Sequence, residues 1–361
     1  MAANPARLPP SLTYHTTQAM ASLSPISRSS GVSTPAVDFG ADTVWNKFLT
    51  DPINLLRSFI IATSRAPLPP TYNTTPAAES IPPIALSSGI SIPAIGFGTG
   101  TVWNKSPTDP INEALVSAIV SALKAGYRHL DCSERYNTAS EIGLALSRVE
   151  VPRSDLFITT KVEERSAANP GNGLRDQLRA MGTEYVDLYL IHQPFTLDVK
   201  TIWRALETLQ REGLTRAIGV SNFNKSQLEE LYGYAEIKPV VNQVELNPYC
   251  IDQELLSFCR EKGIVTEAFS GLAPLTNFKG GPLDAVVEEI SNRVGKTPAQ
   301  VLLKWLAQQG FVVLTTSAKE ERQKELLDLG FELSGEDVER MRKEGAKEHH
   351  RQCWPIQFGG A

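Results

Sequence analysis

The chain has 361 residues, 42% hydrophobic and 21% charged, with a net charge of −5 and a pI near 5.7. That is room for one large domain with an extension, and the acidic balance argues against nucleic acid as a partner. No apolar run approaches the roughly 20 residues that span a bilayer, so a membrane role is not expected either.

Residues 1–80 are rich in Ser, Thr, Pro and Ala, as in LPPSLTYHTT (8–17) and LPPTYNTT (68–75). Such stretches bury too little apolar surface to offset ordering entropy, so a loosely docked or disordered extension is expected. Within it, SSGVSTPAVDFGADTVWNKFLTDPIN (29–54) repeats as SSGISIPAIGFGTGTVWNKSPTDPIN (87–112). The first copy carries Asp38 and Asp42 where the second has Gly96 and Gly100. The first 37 residues contain no acid, which leaves mitochondrial targeting open, although a transit peptide would carry more arginine.

From residue 81 the texture becomes alternation. GISIP and AIGFG predict a short hairpin and a first strand. Asp109 with Pro110 reads as the N-cap and first position of a helix that runs to Ala125 and stops at Gly126. Strands follow at RHL, 156–160, 186–191, 216–220, 240–244, 263–269 and 311–314. Helices are expected near 138–147, 171–181, 200–213, 225–235, 252–262, 283–294, 298–309 and 319–328. Eight strand-helix steps in roughly 250 residues predict a parallel (β/α)8 TIM barrel over 81–361, with an N-terminal β-hairpin and a C-terminal helix (334–345) and loop.

Four polar residues stand at or just past strand ends: Asp131 and Tyr136 in GYRHLDCSERY, Lys161 closing LFITTK, and His192 closing VDLYLIH. Singly, each has an ordinary reading as a loop carboxylate, a surface aromatic, a solvated charge or a satisfied histidine. In a parallel barrel, however, all such ends meet at one mouth. Together they suit carbonyl reduction, in which an acid must protonate the oxygen as hydride adds to the carbon. Tyrosine is a poor acid near neutrality; a neighbouring ammonium lowers its pKa, and two or three units require roughly 3–4 kcal/mol. Lys161 supplies the ammonium, Asp131 holds Lys161 charged, and a neutral His192 orients the substrate oxygen.

The four cysteines, Cys132, Cys250, Cys259 and Cys353, form no C-x-x-C pair. No metal site is expected, and a reducing compartment such as the cytoplasm is.

GFGTGT (96–101), GYRHLDCSERYN (126–137), TTK (159–161), DLYLIHQP (187–194), IGVSNF (218–223), NQVELNP (242–248) and TTSAKEER (315–322) appear in order. In these motifs the chain resembles the aldo-keto reductases over about 85–361, and looks closest to fungal reductases of α-keto amides. The resemblance implies that Asp131, Tyr136, Lys161 and His192 form the catalytic tetrad, with Tyr136 the proton donor. It implies NADPH bound without a Rossmann fold, with NADH possible. Gly98 and Thr99 would admit the nicotinamide end, and Ser221, Asn222 and Gln243 would bind its carboxamide. Phe269 stands where the family stacks a tyrosine, followed by Ser270 and Leu272. Thr316 stands where the family places a lysine before Ser317, leaving Lys319 and Arg322 for the 2′-phosphate. Trp103, His192, Gln193 and Trp354 would line the pocket for a small carbonyl substrate. A monomer or weak dimer is expected. A catalytically weak, cofactor-bound regulatory subunit is the alternative, and the intact tetrad argues against it.

Overall fold

The structure, a computed structural model, describes residues 81–194 and 198–353. The extension 1–80 with its first repeat copy, and Trp354, lie outside the described residues. Strands β1 (Ile84–Ala85) and β2 (Ser91–Ile92) form the expected antiparallel hairpin. Then β3 (Ile95–Gly98), β4 (His129–Asp131), β5 (Phe157–Val162) and β6 (Val186–Ile191) are followed by β7 (Thr215–Ser221), β8 (Val241–Glu245), β9 (Val265–Phe269) and β10 (Val312–Thr315). These eight close into a barrel in chain order, every neighbouring pair parallel, with β10 returning to β3. The helices that cover it are α1 (Glu113–Ala125), α2 (Ala139–Leu146), α3 (Pro170–Met181), α4 (Val199–Arg211), α5 (Lys225–Tyr234) and α6 (Gln253–Lys262). A single turn α7 (Ala273–Thr276) leads to α8 (Leu283–Val294), α9 (Pro298–Ala307), α10 (Glu320–Leu327) and α11 (Gly335–Gly345). Among the described residues no helix is long and apolar enough to cross a membrane.

Helix boundaries follow local chemistry. Asn224, Thr297 and Ser334 each make a capping box, while Gly126, Gly182, Gly263 and Gly295 end helices in the left-handed conformation. One boundary differs from expectation. Asn112, not Asp109, caps α1, its side chain accepting the Leu115 N–H at 3.2 Å. Asp109 instead accepts the Ser106 N–H at 2.7 Å, and Lys105 donates to the Pro110 carbonyl at 3.0 Å. A turn therefore occupies the Asp-Pro segment, and the helix starts three residues later.

Strand periodicity layers the lumen. In β6, Leu188 and Leu190 pack inward with Phe157, Val241 and Val312, while Tyr189 and Ile191 pack outward among the helices. Leu86 and Ile92 of the hairpin join the inward cluster, so the hairpin plugs the N-terminal end. Continuing by twos along each strand gives a polar middle layer of His129, Thr159, Gln243 and Glu267. The next rung toward the C-terminal ends holds Asp131, Lys161 and, just past β6, His192. The apolar base excludes water from beneath the polar layers, and the residues of interest lie at the open end.

Candidate active site

Closure of the barrel brings Asp131, Tyr136, Lys161 and His192 into contact. Asp131 ends β4 and Lys161 lies in β5, and both are buried. Lys161 Nζ donates to Asp131 Oδ1 at 2.7 Å and Oδ2 at 2.8 Å, and to the Cys132 carbonyl at 2.9 Å. Its remaining reach is to Tyr136 Oη at 3.4 Å. Tyr136 closes a 3₁₀ turn over Glu134–Tyr136, and its ring meets that of His192 edge-on at 5.7 Å. Gly100 makes this seat possible: a Cβ there would lie 2.7 Å from Tyr136 Cζ and 2.8 Å from Cε2.

The electrostatics depart from the sequence expectation at one point. Burial pushes the Tyr136 phenol up to about 12, with Lys161 pulling down against it. The expected net lowering is absent chiefly because burial outweighs the ammonium, and the Asp131 carboxylate that holds this ammonium on both oxygens adds to the rise. Burial alone would lower Lys161, yet attraction to Asp131 carries it above its ordinary value. His192 is lowered, chiefly by burial.

His192 Nδ1 has two neighbours that sequence reading did not single out: Ser133 Oγ at 3.0 Å and the Glu163 carboxylate. Glu163 sits two residues past Lys161, and strand parity was the signal that could have found it. Glu267 was missed likewise: it lies two residues before Phe269 and faces the lumen. Gln243 Nε2 donates to Asp131 Oδ2 at 2.9 Å and to Glu267 Oε2 at 2.8 Å.

The residues expected at a cofactor fall around the same mouth. Ser221 ends β7 and Asn222 follows it with φ 62°; Ser270 follows β9 with φ 56°. With Thr101 and Asn137 these are the non-glycine residues of left-handed backbone among the described residues, and all four border the mouth. Asn222 Nδ2 donates to the His192 carbonyl and to Ser221 Oγ, both at 3.0 Å, and Ser221 Oγ donates to the Gln243 carbonyl at 2.8 Å. Asn222 Oδ1 is buried without a hydrogen-bond partner. A buried acceptor left open in this way fits the NH₂ of a carboxamide. The donors of Asn222 and Gln243 are already engaged within the protein, so the trio offers acceptors.

Gly98 ends β3, and a Cβ there would meet nothing closer than the Thr315 carbonyl at 3.8 Å. The Thr99 hydroxyl is committed to the Asp131 carbonyl and Thr138, both at 3.0 Å. Trp103 is buried and its indole N–H donates to Thr316 Oγ1 at 2.9 Å, tying the turn after β3 to the end of β10. Phe269, Ser270 and Leu272 are half-buried, and Gln193 is buried. Ser317 Oγ accepts the Lys319 N–H at 3.1 Å; Lys319 is exposed at the start of α10. Arg322 pairs with Glu325 at 2.5 Å.

A closed (β/α)8 barrel with a buried Lys–Asp pair, a phenol and an imidazole at its C-terminal mouth defines a barrel oxidoreductase. The model of the Aldo/keto reductase family matches residues 94–345, and the chain belongs to that family. It is 38% identical over 271 residues to the NAD/NADP-dependent indole-3-acetaldehyde reductase of Schizosaccharomyces pombe, covering 73% of this chain and 95% of that protein. It is 38% identical over 294 residues to the NADPH-dependent alpha-keto amide reductase of Saccharomyces cerevisiae, covering 76% and 94%. Among solved structures, a Brucella melitensis aldo/keto reductase matches with TM-score 0.66 and 36% identity, over 73% of this chain and 99% of that one. A Bombyx mori aldo-keto reductase in complex with NADP matches with TM-score 0.70 and 28% identity, over 78% and 97%.

Proposed function

We propose that this protein reduces aldehydes and activated ketones, such as α-keto esters and amides, to alcohols with NADPH, and that Tyr136 donates the proton. The observation that carries this reading is Lys161, which bridges the Asp131 carboxylate and the Tyr136 hydroxyl from inside the barrel. When bound, the nicotinamide supplies the hydride that adds to the carbonyl carbon. Asn222, Ser221 and Gln243 would hold its carboxamide, Phe269 would present a flat face to the ring, and Ser317 with Lys319 would meet the 2′-phosphate.

The protein's own task is the proton. With its pKa pushed to about 12 by burial, Tyr136 keeps its proton throughout the working range. An alkoxide is a stronger base than a phenolate, so the proton moves from Oη to the oxygen as charge develops there. Lys161 then stabilises the phenolate left behind, and Asp131 keeps the ammonium in place. Gly100 against the ring holds Oη where the oxygen would lie. The names of the fungal relatives, one an alpha-keto amide reductase and one an indole-3-acetaldehyde reductase, support this substrate range, and the latter's use of either cofactor supports NADH as a second donor.

Tyr136→Phe removes the proton and little else. Turnover of an aldehyde and an α-keto ester should fall about 10²–10⁴-fold, while NADPH binding followed by fluorescence is retained. Full activity in this variant would sink the assignment.

A further inference from the structure

We propose that Glu163 is a positioning residue that fixes a proton on His192 Nδ1. Nε2 is then an acceptor while the ring is neutral, and a donor only when the ring is doubly protonated. The inference rests on the reading above in one respect, that the reacting oxygen lies between Tyr136 and His192.

The geometry leaves Nδ1 little choice. Strand parity continues from Lys161 in β5 to Glu163 and aims its carboxylate across the mouth at His192. A Glu163 oxygen sits against Nδ1, with Ser133 Oγ on the same nitrogen at 3.0 Å. A carboxylate can only accept, so an unprotonated Nδ1 would set two lone pairs against each other. Ser133 can adapt, because its hydroxyl both donates and accepts; it already takes the Arg135 N–H at 3.1 Å. The charge-assisted bond to the carboxylate therefore decides the tautomer.

Glu163 is able to act this way. Burial alone would raise its pKa, but the His192 hydrogen bond and attraction, with Arg135 at 3.9 Å, hold it below the ordinary carboxylate range. Among the described residues, the other charged or titratable groups facing His192 are Lys161 from β5, Asp131 from β4 and the neutral Tyr136 phenol. Burial lowers His192, Glu163 and Asp131 oppose this, and Lys161 adds to it.

The consequence is directional. With the ring neutral, Nε2 accepts the O–H of an alcohol; with the ring charged, it donates to a carbonyl oxygen. Glu163 thereby biases the site toward carbonyl reduction on the acid side of His192 and toward alcohol oxidation on the alkaline side.

The first test needs neither cofactor nor turnover. Nitrogen-15 NMR of histidine-labelled protein, with the His192 signals assigned by their loss in His192→Gln, reads the tautomer directly. The proton is expected on Nδ1 in the parent; in Glu163→Gln it should move to Nε2, and the titration midpoint should fall. An Nε2–H tautomer in the parent, or an unchanged tautomer and midpoint in Glu163→Gln, overturns the proposal. The second test is kcat/KM for carbonyl reduction against pH. Above the His192 midpoint the parent should lose about tenfold per pH unit, whereas Glu163→Gln should stay level because its neutral ring can still donate. Glu163→Asp should restore the slope. Parallel profiles would mean that Glu163 only supports the fold, and would overturn the assignment. Full activity in Tyr136→Phe would instead remove the proton-donor reading and leave the NMR result standing.

Discussion

Asp131 and Glu267 share one lumen and one donor, yet they end in different chemical states. Both are almost fully buried, and the two hydrogens of Gln243 Nε2 go one to each. Asp131 also receives an ammonium on both oxygens. Glu267 instead faces His129 at 3.6 Å, and burial pushes that imidazole down to about 4, so it brings no charge. Burial, reinforced by the Asp131 charge, carries Glu267 up to about 8. Equal burial thus yields an ion pair at the mouth and a neutral acid one rung below; the partner decides which.

The strongest way to break this contrast is to make the mouth resemble the rung beneath it. Lys161→Met leaves Asp131 buried without its cation, which should cost about 3–5 kcal/mol of stability. Urea unfolding reads that loss, and turnover should fall with it; unfolding within error of the parent would mean that the pair is not compensated as described. A smaller effect sharpens the role of the mouth. In Gly100→Ala the new methyl presses on the Tyr136 ring, and kcat should fall about 10–100-fold from misplacement with melting temperature nearly unchanged. An unaltered kcat would show that the ring yields without consequence.

The mildest change concerns the lower rung. Glu267 has a folded-state pKa of about 8, raised above its ordinary 4.5. The fold prefers its protonated form, so the stability that this preference contributes is present below pH 4.5 and lost as pH rises through 8. Glu267→Gln removes the ionisation. Relative to the parent, its melting temperature should climb between pH 5 and pH 9. A constant offset across that range would assign the alkaline loss to another group.

Much of the barrel could be read from the chain. All eight barrel strands fall within two residues of their expected ranges, because buried parallel strands show as apolar runs punctuated by Gly and by helix caps. The meeting of Asp131, Tyr136, Lys161 and His192 was legible too, since strand ends of a barrel converge. What was not legible depends on closure. Gln243 joins Asp131 across 112 residues of chain, and Glu163 meets His192 only because β5 and β6 are neighbours. The phenol's pKa was misjudged for the same reason. Sequence supplied the ammonium beside it but neither the degree of burial nor the bidentate pairing that spends most of Lys161's charge on Asp131. Asp109-Pro110 looked like a helix start because the motif is local, and the competing Lys105 and Ser106 contacts reach it from the preceding turn.

Gly96, like Gly100, is packed tightly where a side chain would begin. A Cβ at Gly96 would lie 2.6 Å from both His129 Nδ1 and Leu314 Cδ2, just as one at Gly100 would strike Tyr136. The tandem copy at 29–54 aligns Asp38 and Asp42 with these two positions. An aspartate at either position would push its side chain into space that His129, Leu314 and the Tyr136 ring already fill, so both the barrel seam and the seat of the phenol depend on a side chain that is missing.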